Sequence, residues 1–330
     1  MKPLSQVLPL GALAAAVLLS GCGRPDDTSK PANGGESGGN ESITVGFSQV
    51  GAESSWRTAE TTSIKEEAEK RGVTLKFSDA QQKQENQIKA LRAFAQQGVD
   101  AIILAPKVET GWDNVLKEVK RAGIPVILVD RGVKVKDESL YTTLIASDFV
   151  LEGKMAAEWL VKKLDGKGNV VELQGTTGSA PAIDRQKGFA EGIKDHEGIK
   201  IIKSQTGDFT RVKGKEVMEA FLKADGDKIN AVYAHNDDMA LGAIQAIEAA
   251  GKVPGKDIIV VSIDGMRSAF EAMVEGKLDC TVECSPLLGP YAFDAIEKVL
   301  AGEEVPKNIV VQDKAFDKST AKEVLPTRKY

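Results

Sequence analysis

The sequence predicts an α/β protein in which parallel sheets carry helices on both faces. Short apolar runs typical of strands alternate with helical stretches, and each strand and helix together take about 25 to 30 residues. A glycine follows each of the first three helical stretches, at Gly72, Gly98 and Gly123, and glycine is common just after the C-terminus of a helix. Repeated units of this length are typical of right-handed βαβ crossovers, which build a parallel sheet.

The first half of the pattern starts with the alternation of Ile43, Val45 and Phe47, which predicts a strand. Its fourth strand, Val126–Val129, is apolar at every position, as expected for a strand that is covered on both faces. The predicted strands of this half are residues 43–47, 73–77, 101–104 and 126–129, and the predicted helices are residues 56–71, 84–97 and 112–122.

A second α/β half follows a boundary near Ser147, where a strand is predicted over residues 140–147. Its predicted helices are residues 149–164, 183–194, 212–224 and 238–250, and its strands are residues 170–174, 199–205, 231–234 and 258–263. A strand over 278–283, a helix over 288–300 and a strand over 308–311 come last. Periodicity leaves open whether these last three elements extend the second half or return to the first.

Composition limits the function classes. With 330 residues, 42% of them hydrophobic and 28% charged, the chain can form two soluble domains. A net charge of -5 argues against nucleic acid as a partner, because phosphate binding needs a basic surface. Cys280 and Cys284 lie in a predicted strand and would be about 13 Å apart, whereas a disulfide needs α-carbons within about 7 Å. We therefore expect free, mostly buried thiols.

The N-terminal segment predicts export. Lys2 precedes an apolar run over residues 8–19, which is too short to span a bilayer and is typical of a signal peptide. The run ends in Leu-Ser-Gly-Cys, which resembles the bacterial lipobox, so residues 1–21 are expected to be removed and Cys22 to be lipidated. An ordinary secretory signal is the alternative. Residues 22–42 are rich in Gly, Ser, Asn and Asp and are expected to form a flexible tether.

Planar polar side chains follow nearly every predicted strand. Asp130 and Arg131 follow the fourth strand, and the carboxyl ends of parallel strands face the ligand crevice of open α/β sheets. The polar residues at the other strand ends are Glu53, Arg57, Asp184, Arg185, Asp208, Arg211, His235, Asn236, Asp237, Asp238 and Asp264. Two of these strand ends also carry an aromatic residue, Trp56 or Phe209. Together they predict a pocket that stacks an aromatic face on C–H groups while Asp, Asn and Arg bind hydroxyls, as a sugar requires.

Other chemistries find less support in the sequence. The turn Gly175–Gly178 matches neither dinucleotide nor P-loop motifs. Asp237 or Asp238 could simply cap the following helix. Paired carboxylates would suit a glycosidase, but Asp130 and Asp184 each precede an arginine, which favours ionised carboxylates. His235 lacks the separated partners of a metal site, and we expect no metal and no cofactor.

Several motifs resemble the sugar-binding proteins of bacterial ABC transporters, of the ribose and galactose type. The resemblance covers nearly all of residues 43–313. It rests on Ile-Pro-Val-Ile-Leu-Val-Asp-Arg ending at Arg131, Val-Val-Glu-Leu-Gln-Gly ending at Gly175, Gly-Asp-Phe-Thr-Arg ending at Arg211, Ala-His-Asn-Asp-Asp-Met-Ala-Leu-Gly-Ala ending at Ala243, and Ser-Ile-Asp-Gly ending at Gly265. Residues 45–57, 81–90 and 182–185 most resemble the galactofuranose-binding members of that family.

The resemblance implies a two-lobe fold, the type I periplasmic-binding-protein fold, with each lobe a parallel sheet flanked by helices and a three-strand hinge between them. The N-terminal lobe would be residues 43–147 plus 284–310, and the C-terminal lobe residues 148–283 plus 311–330. The ligand-binding residues implied are Trp56, Arg57, Asp130, Arg131, Arg185, Phe209, Asn236 and Asp264. Arg57 replaces a second aromatic residue of the ribose pattern and Ala105 an asparagine, and both departures weaken a ribose assignment and suit galactofuranose. The hinge glutamine of the family aligns near Cys284, so its sugar contact is not carried over to this chain.

The function implied is that of a monomeric, lipid-anchored solute-binding protein of an ABC importer, located in the periplasm or at the cell exterior. It would bind a monosaccharide, galactofuranose first, by hinge closure, and would dock on the permease subunits without catalysing a reaction. The alternatives are a receptor for another aldose such as ribose, galactose or arabinose, a protein that also delivers sugar to a sensor, and a secreted glycosidase. A further alternative is the core of a sugar-responsive repressor. It would need a helix-turn-helix ahead of residue 43, and the predicted lipobox and tether occupy that place.

Overall fold

The computed structural model describes residues 42–330, which form one compact unit. The predicted signal peptide, the lipidation site Cys22 and nearly all of the tether lie outside these residues. No helix within residues 42–330 is both long and apolar enough to cross a membrane.

Two six-stranded sheets form the framework. The first sheet has the strand order β11-β5-β4-β3-β1-β2 and the second has the order β12-β10-β9-β8-β6-β7. The strands are β1 (Thr44–Gln49), β2 (Thr74–Asp79), β3 (Ala101–Leu104), β4 (Val126–Val129), β5 (Thr143–Ser147), β6 (Gly168–Gln174), β7 (Ile199–Thr206), β8 (Ala231–Ala234), β9 (Ile259–Asp264), β10 (Cys280–Glu283), β11 (Asn308–Val311) and β12 (Ala315–Asp317).

Ten helices pack on these sheets within the described part of the chain. They are α1 (Ser55–Lys70), α2 (Gln84–Gln96), α3 (Asp113–Arg121), α4 (Phe149–Lys163), α5 (Ala180–Ile193), α6 (Arg211–Asp225), α7 (Asp237–Ala249), α8 (Arg267–Val274), α9 (Gly289–Leu300) and α10 (Lys318–Val324). We call the first sheet with the helices packed on it the first lobe, and the second sheet with its helices the second lobe.

Each sheet is covered on both faces, as the apolar strands predict. In β3, Ile103 packs in a cluster with Phe293 of α9, whereas its neighbours Ile102 and Leu104 pack in another cluster with Leu91 of α2. All five residues are buried. Successive side chains of a strand point to opposite faces, so this apolar run fills two cores at once. The second sheet likewise separates two apolar clusters.

The chain passes between the sheets three times. Asp148 joins β5 of the first sheet to α4, which packs on the second sheet. Residues 284–288 then lead from β10 of the second sheet to α9, which packs on β4, β5 and α1. Residues 312–314 lead from β11 of the first sheet to β12 of the second. The last three elements that periodicity could not place are therefore divided between the two sheets.

The structure corrects several predicted elements. Residues 138–140 form a short 3-10 helix, so β5 begins at Thr143 and not at 140. Helix α5 begins at Ala180, three residues earlier than predicted, with Pro181 in the first turn, where its missing N–H costs nothing. Helices α8 and α10 and strand β12 were not predicted from the sequence. Strand β12 pairs antiparallel with β10. These short elements leave too little periodicity to detect.

Candidate functional site

One cavity is lined by residues that follow strands of both sheets. It encloses about 290 Å³ of space that is free of protein atoms, part of which is open to solvent. All eight residues that the sequence analysis singled out as ligand-binding line it: Trp56, Arg57, Asp130, Arg131, Arg185, Phe209, Asn236 and Asp264. The remaining lining residues are Glu53, Ser54, Pro181 and Cys284.

The N-terminus of α1 places the first two of these side chains. The Ser54 hydroxyl accepts a hydrogen bond from the backbone N–H of Arg57 at 3.1 Å, which caps the helix. Trp56 and Arg57 therefore lie in the first turn, next to the end of β1. The indole Nε1 of Trp56 donates to the carbonyl oxygen of Cys284 at 2.6 Å, which fixes the ring against the second connection between the sheets.

Arg57 binds three carboxylates of the first lobe. Its Nη2 lies 2.5 Å from Asp130 Oδ2, its Nη1 2.5 Å from Glu60 Oε2, and its Nε 3.3 Å from Glu53 Oε1. Burial alone would lower the pKa of Arg57, but the charges of Asp130, Glu60 and Glu53 outweigh it and raise that pKa well above its ordinary value. The guanidinium group is therefore held charged and fixed on several sides.

Asp130 and Arg131 follow β4 as the sequence predicts. Asp130 has a φ of 60°, a left-handed conformation that is uncommon for a residue with a side chain and is often found at functional sites. Arg131 Nη1 donates to the Lys107 carbonyl oxygen at 3.1 Å, and Nη2 lies 3.3 Å from Glu53 Oε1. The Nε of Arg131 is buried and lies 3.4 Å from Asp130 Oδ2, but it forms no hydrogen bond. Its charge is paired, whereas this N–H has no acceptor in hydrogen-bond geometry.

On the second lobe, Arg185 is held by a carboxylate that the sequence analysis did not identify. Its Nε donates to Glu152 Oε2 at 2.7 Å, and its Nη1 donates to the His235 carbonyl oxygen at 2.6 Å. Asp184, the acid beside Arg185 in the sequence, does not form an ion pair with it. Consecutive residues of a helix do not face each other, and Asp184 is half-exposed and does not line the cavity.

Asp264 closes β9 with an incompletely satisfied carboxylate. Its Oδ1 lies 3.9 Å from Arg185 Nη2, too far for a hydrogen bond, and its Oδ2 is buried without a partner. Burial raises the pKa of Asp264 well above its usual value, although the charge of Arg185 opposes the shift. This carboxylate is therefore an acceptor that the protein itself leaves open.

Phe209 lies between two arginines of opposite lobes. The Cζ of Arg131 is 5.4 Å from the ring centroid and that of Arg185 is 6.0 Å away. The Phe209 ring occupies the space beside Gly175. A β-carbon added at Gly175 would therefore lie only 1.9 Å from the Phe209 Cζ. The turn Gly175–Gly178, which the sequence analysis could describe only as a connection between strand and helix, thus makes room for the aromatic wall.

Asn236 caps α7, so the suggestion that Asp237 or Asp238 does so is wrong. Its side-chain oxygen accepts from the Met239 N–H at 3.0 Å, and its amide nitrogen donates to the Phe209 carbonyl oxygen at 3.2 Å. One amide hydrogen remains for a ligand.

His235 is buried behind this wall and does not line the cavity. Its Nε2 lies 3.1 Å from Glu172 Oε1, and its Nδ1 accepts from the Gly175 N–H at 3.3 Å. Burial lowers the pKa of His235, with Glu172 opposing the shift. No group of three potential metal ligands occurs among residues 42–330. Cys280 and Cys284 are free and buried, which confirms the prediction made from their spacing.

Four lining residues fall outside the predicted ligand-binding set. Glu53 and Ser54 directly precede α1, Pro181 lies in the first turn of α5, and Cys284 directly follows β10. Glu53 was visible as a polar residue after β1, so the strand-end pattern could have found it. Nothing in the pattern marks Pro181.

The lining as a whole is polar and balanced in formal charge. Three arginines and three carboxylates line the cavity, so their formal charges cancel: Arg57, Arg131, Arg185, Glu53, Asp130 and Asp264. Two aromatic side chains, Trp56 and Phe209, supply flat apolar surfaces. This arrangement suits a small neutral molecule that carries several hydrogen-bond donors and acceptors around an apolar body.

Comparisons with known proteins agree with this description. A family profile described as "Periplasmic binding protein domain" matches residues 45–304. The chain is 57% identical over 291 residues to the galactofuranose-binding protein YtfQ of Escherichia coli (strain K12), an alignment that covers 87% of this chain and 92% of that protein. The predicted resemblance to sugar-binding proteins of the ribose and galactose type, and within them to a galactofuranose-binding member, is confirmed.

Two solved structures share the fold over most of their length. One is the periplasmic binding protein of the arabinose ABC transporter from Shewanella sp. ANA-3 bound to α- and β-L-arabinofuranose, with a TM-score of 0.85, 55% identity and coverage of 87% of this chain and 96% of that one. The other is from Mycobacterium smegmatis in complex with β-D-fucofuranose, with a TM-score of 0.86, 55% identity and coverage of 88% and 96%.

These matches confirm the predicted type I periplasmic-binding-protein fold, and they support a periplasmic or extracytoplasmic location. The Escherichia coli protein is named for the sugar it binds and the Shewanella protein for its transporter, and neither name describes an enzyme. The profile match covers well over half of the chain. The chain therefore belongs to the periplasmic binding protein domain family.

Proposed function

We propose that this chain is the binding component of a sugar ABC importer and holds one monosaccharide between its two lobes. The observation that carries the proposal is a pair of buried polar atoms that make no hydrogen bond, the donor Nε of Arg131, which lies 3.4 Å from Asp130 Oδ2, and the acceptor Oδ2 of Asp264. They belong to opposite walls of one cavity. An unpaired buried polar atom is costly, and a sugar ring with hydroxyls on both edges would satisfy both atoms.

The charge balance of the cavity favours a neutral solute over one with a net charge. The formal charges of the lining residues cancel, so the net negative charge of a phosphate would be left uncompensated.

We infer that the preferred ligand is a five-membered sugar ring, with galactofuranose the first candidate. One relative is named for galactofuranose, and the two solved structures hold arabinofuranose and fucofuranose, so all three sugars are furanoses. Departures from the ribose pattern at Arg57 and Ala105 agree with this choice. In this proposal the ring lies against Trp56 and Phe209, Arg131 and Arg185 donate to hydroxyls, Asp130 and Asp264 accept from them, and Arg57 and Asn236 complete the set.

Binding would be coupled to closure of the two lobes. We assign residues 43–147 plus 284–311 to the first lobe and residues 148–283 plus 312–330 to the second. The boundary lies one residue beyond the 310 implied by the resemblance, because Val311 pairs with Ser147 in the first sheet. The sugar would contact both lobes only when they are closed, so its binding free energy would favour the closed form. The closed monomer would dock on the permease subunits while a lipid anchor at Cys22 keeps it at the membrane. No reaction is expected.

The test is calorimetry and thermal shift of the purified protein against aldoses that include galactose, arabinose and ribose. A ligand at 100 times its Kd should stabilise the protein by about 2.7 kcal/mol. Galactose carrying 13C at the anomeric carbon should show, in the bound state, the NMR signal of the furanose ring.

Mannitol, an open-chain polyol that has hydroxyls but no ring, is the matched negative ligand. The absence of heat and of any thermal shift with every aldose would overturn the sugar assignment. A bound pyranose signal would overturn only the furanose part. Release of the aglycone from an aryl galactofuranoside would overturn the expectation that no reaction occurs.

A further inference from the structure

A polar contact outside the cavity joins the two lobes. The backbone N–H of Ser55 donates to Oδ2 of Asp238 at 2.7 Å, and the Ser55 hydroxyl donates to the same oxygen at 2.6 Å. Ser55 is the first residue of α1 in the first lobe, and Asp238 is the second residue of α7 in the second lobe. Neither residue lines the cavity.

The second lobe holds Asp238 in position for this contact. Arg211, the first residue of α6, donates from Nε at 3.1 Å and from Nη2 at 2.8 Å to Oδ1 of Asp238. The carboxylate is nearly buried, with 8% of its side chain exposed. One oxygen is thereby occupied within the second lobe, and the other is left for the first lobe.

The first lobe supplies donors that need a partner. Ser54 caps α1 through the N–H of Arg57, so the N–H of Ser55 is one of the helix-terminal donors without a partner inside the helix. The positive end of the helix dipole also favours a carboxylate at this point. Asp238 therefore stabilises the N-terminus of α1 only while the lobes are together.

A second direct contact between the lobes uses backbone atoms alone. The N–H of Glu109, which follows β3, donates to the carbonyl oxygen of Gly178, which follows β6, at 3.0 Å. Side-chain replacement cannot remove this bond. Of these two hydrogen-bonded contacts, only the one between Ser55 and Asp238 can therefore be removed by replacing a side chain.

We propose that Ser55 and Asp238 form an interlobe latch that stabilises the closed form and slows the release of the sugar, and that Asp238 is a positioning residue that acts through closure and not through ligand contact. The measured affinity of a binding protein decreases when a smaller fraction of its molecules is in the binding-competent form. The latch raises that fraction. Its effect on the sugar rests on the proposed function, whereas its effect on closure does not.

The experiment compares Asp238→Ala with the unchanged protein in two measurements. Without ligand, spin labels placed one on each lobe should report a larger share of separated lobes in Asp238→Ala. With sugar, stopped-flow fluorescence should show dissociation faster by about tenfold, which corresponds to about 1.4 kcal/mol. Asp317→Asn is the matched control, because Asp317 caps α10 entirely within the second lobe; it should change neither measurement by more than about twofold.

A double-mutant cycle tests whether the two residues act together. Ser55→Ala should speed dissociation by itself but add nothing in the Asp238→Ala background. Equal lobe separation in Asp238→Ala and the unchanged protein, with circular dichroism showing both folded, would overturn the latch whichever ligand binds. Independent, multiplying effects of the two substitutions would also overturn it. If no sugar binds the unchanged protein, the proposed function is wrong. The spin-label distances measured without ligand would still show whether Ser55 and Asp238 hold the lobes together.

Discussion

The two walls of the cavity satisfy their polar groups in different ways. On the first lobe, Arg57 contacts three carboxylates within 3.3 Å, and two of them, Glu53 and Asp130, also contact Arg131. On the second lobe, Arg185 has one close carboxylate, Glu152, which lies outside the lining, and the carboxylate that does line the cavity is 3.9 Å away. The first wall is a closed ionic network, and the second wall contains an open acceptor.

This difference separates the groups that shape the site from those that await a ligand. A network whose members bind one another holds its side chains in place before a ligand arrives, which reduces the entropy lost on binding. An acceptor such as Asp264, left without a partner, gains most when a donor reaches it. We therefore expect substitutions in the first wall to affect folding as well as binding, and those in the second wall to affect mainly binding.

Arg57→Met should give the largest effect, a loss of about 3 to 5 kcal/mol in the free energy of unfolding, because removing one member of a buried ionic network leaves its partners uncompensated. Urea denaturation followed by circular dichroism measures this loss. Asp264→Asn, the matched change in the second wall, should cost far less stability, since that carboxylate has no close partner. A midpoint for Arg57→Met equal to that of the unchanged protein would remove the distinction between the walls.

Arg131→Ala should weaken sugar binding by at least about 2 kcal/mol, or about 30-fold in Kd, because a buried charged donor is lost and the hydroxyl it binds is left unpaired. Isothermal titration calorimetry measures the change. Arg92→Ala is the control, since Arg92 forms an exposed ion pair with Glu118 outside the cavity. If Arg131→Ala and Arg92→Ala bind sugar equally well, Arg131 does not belong to the site.

The sequence predicted the lining of the cavity better than the bonds within it. Asp130 and Asp264 could be found because β-strands are easily recognised and the ends of parallel strands meet at one edge of a sheet. The bond between Arg185 and Glu152 could not, because Glu152 lies 33 residues earlier on α4, and the packing of α4 against α5 brings them together. Tertiary packing of this kind leaves no local pattern in the chain.

Gly175 and Asp238 show the same limit. In the sequence Gly175 is one glycine of a turn, and only the position of the Phe209 ring shows why a side chain cannot be accommodated there. Asp238 has the pattern of a helix-capping residue, but Asn236 fills that role, and Asp238 contacts the other lobe, 183 residues away in sequence. The chemistry of each residue was visible in the sequence, whereas its partner depended on the fold.

The last prediction concerns the dependence of sugar affinity on pH. It tests directly whether Asp264 is the open acceptor. Burial raises the pKa of Asp264 well above its usual value in the empty site, so below that raised pKa the carboxyl group is protonated. Sugar hydroxyls that donate to Asp264 favour its ionised form, so binding should release a proton. Affinity should therefore rise with pH up to the raised pKa and level off above it, by no more than about tenfold per pH unit.

Calorimetry in buffers of different ionisation enthalpy measures the released proton, and titrations from roughly pH 5 to 9 measure the slope of affinity against pH. Burial also raises the pKa of Asp237 to about 6 and that of Asp313 to about 8, but neither residue lines the cavity. Asp264→Asn should therefore bind more weakly and lose most of the slope. A slope that persists in Asp264→Asn would assign the proton to another group, and the second wall would then have no ionisable acceptor waiting for the sugar.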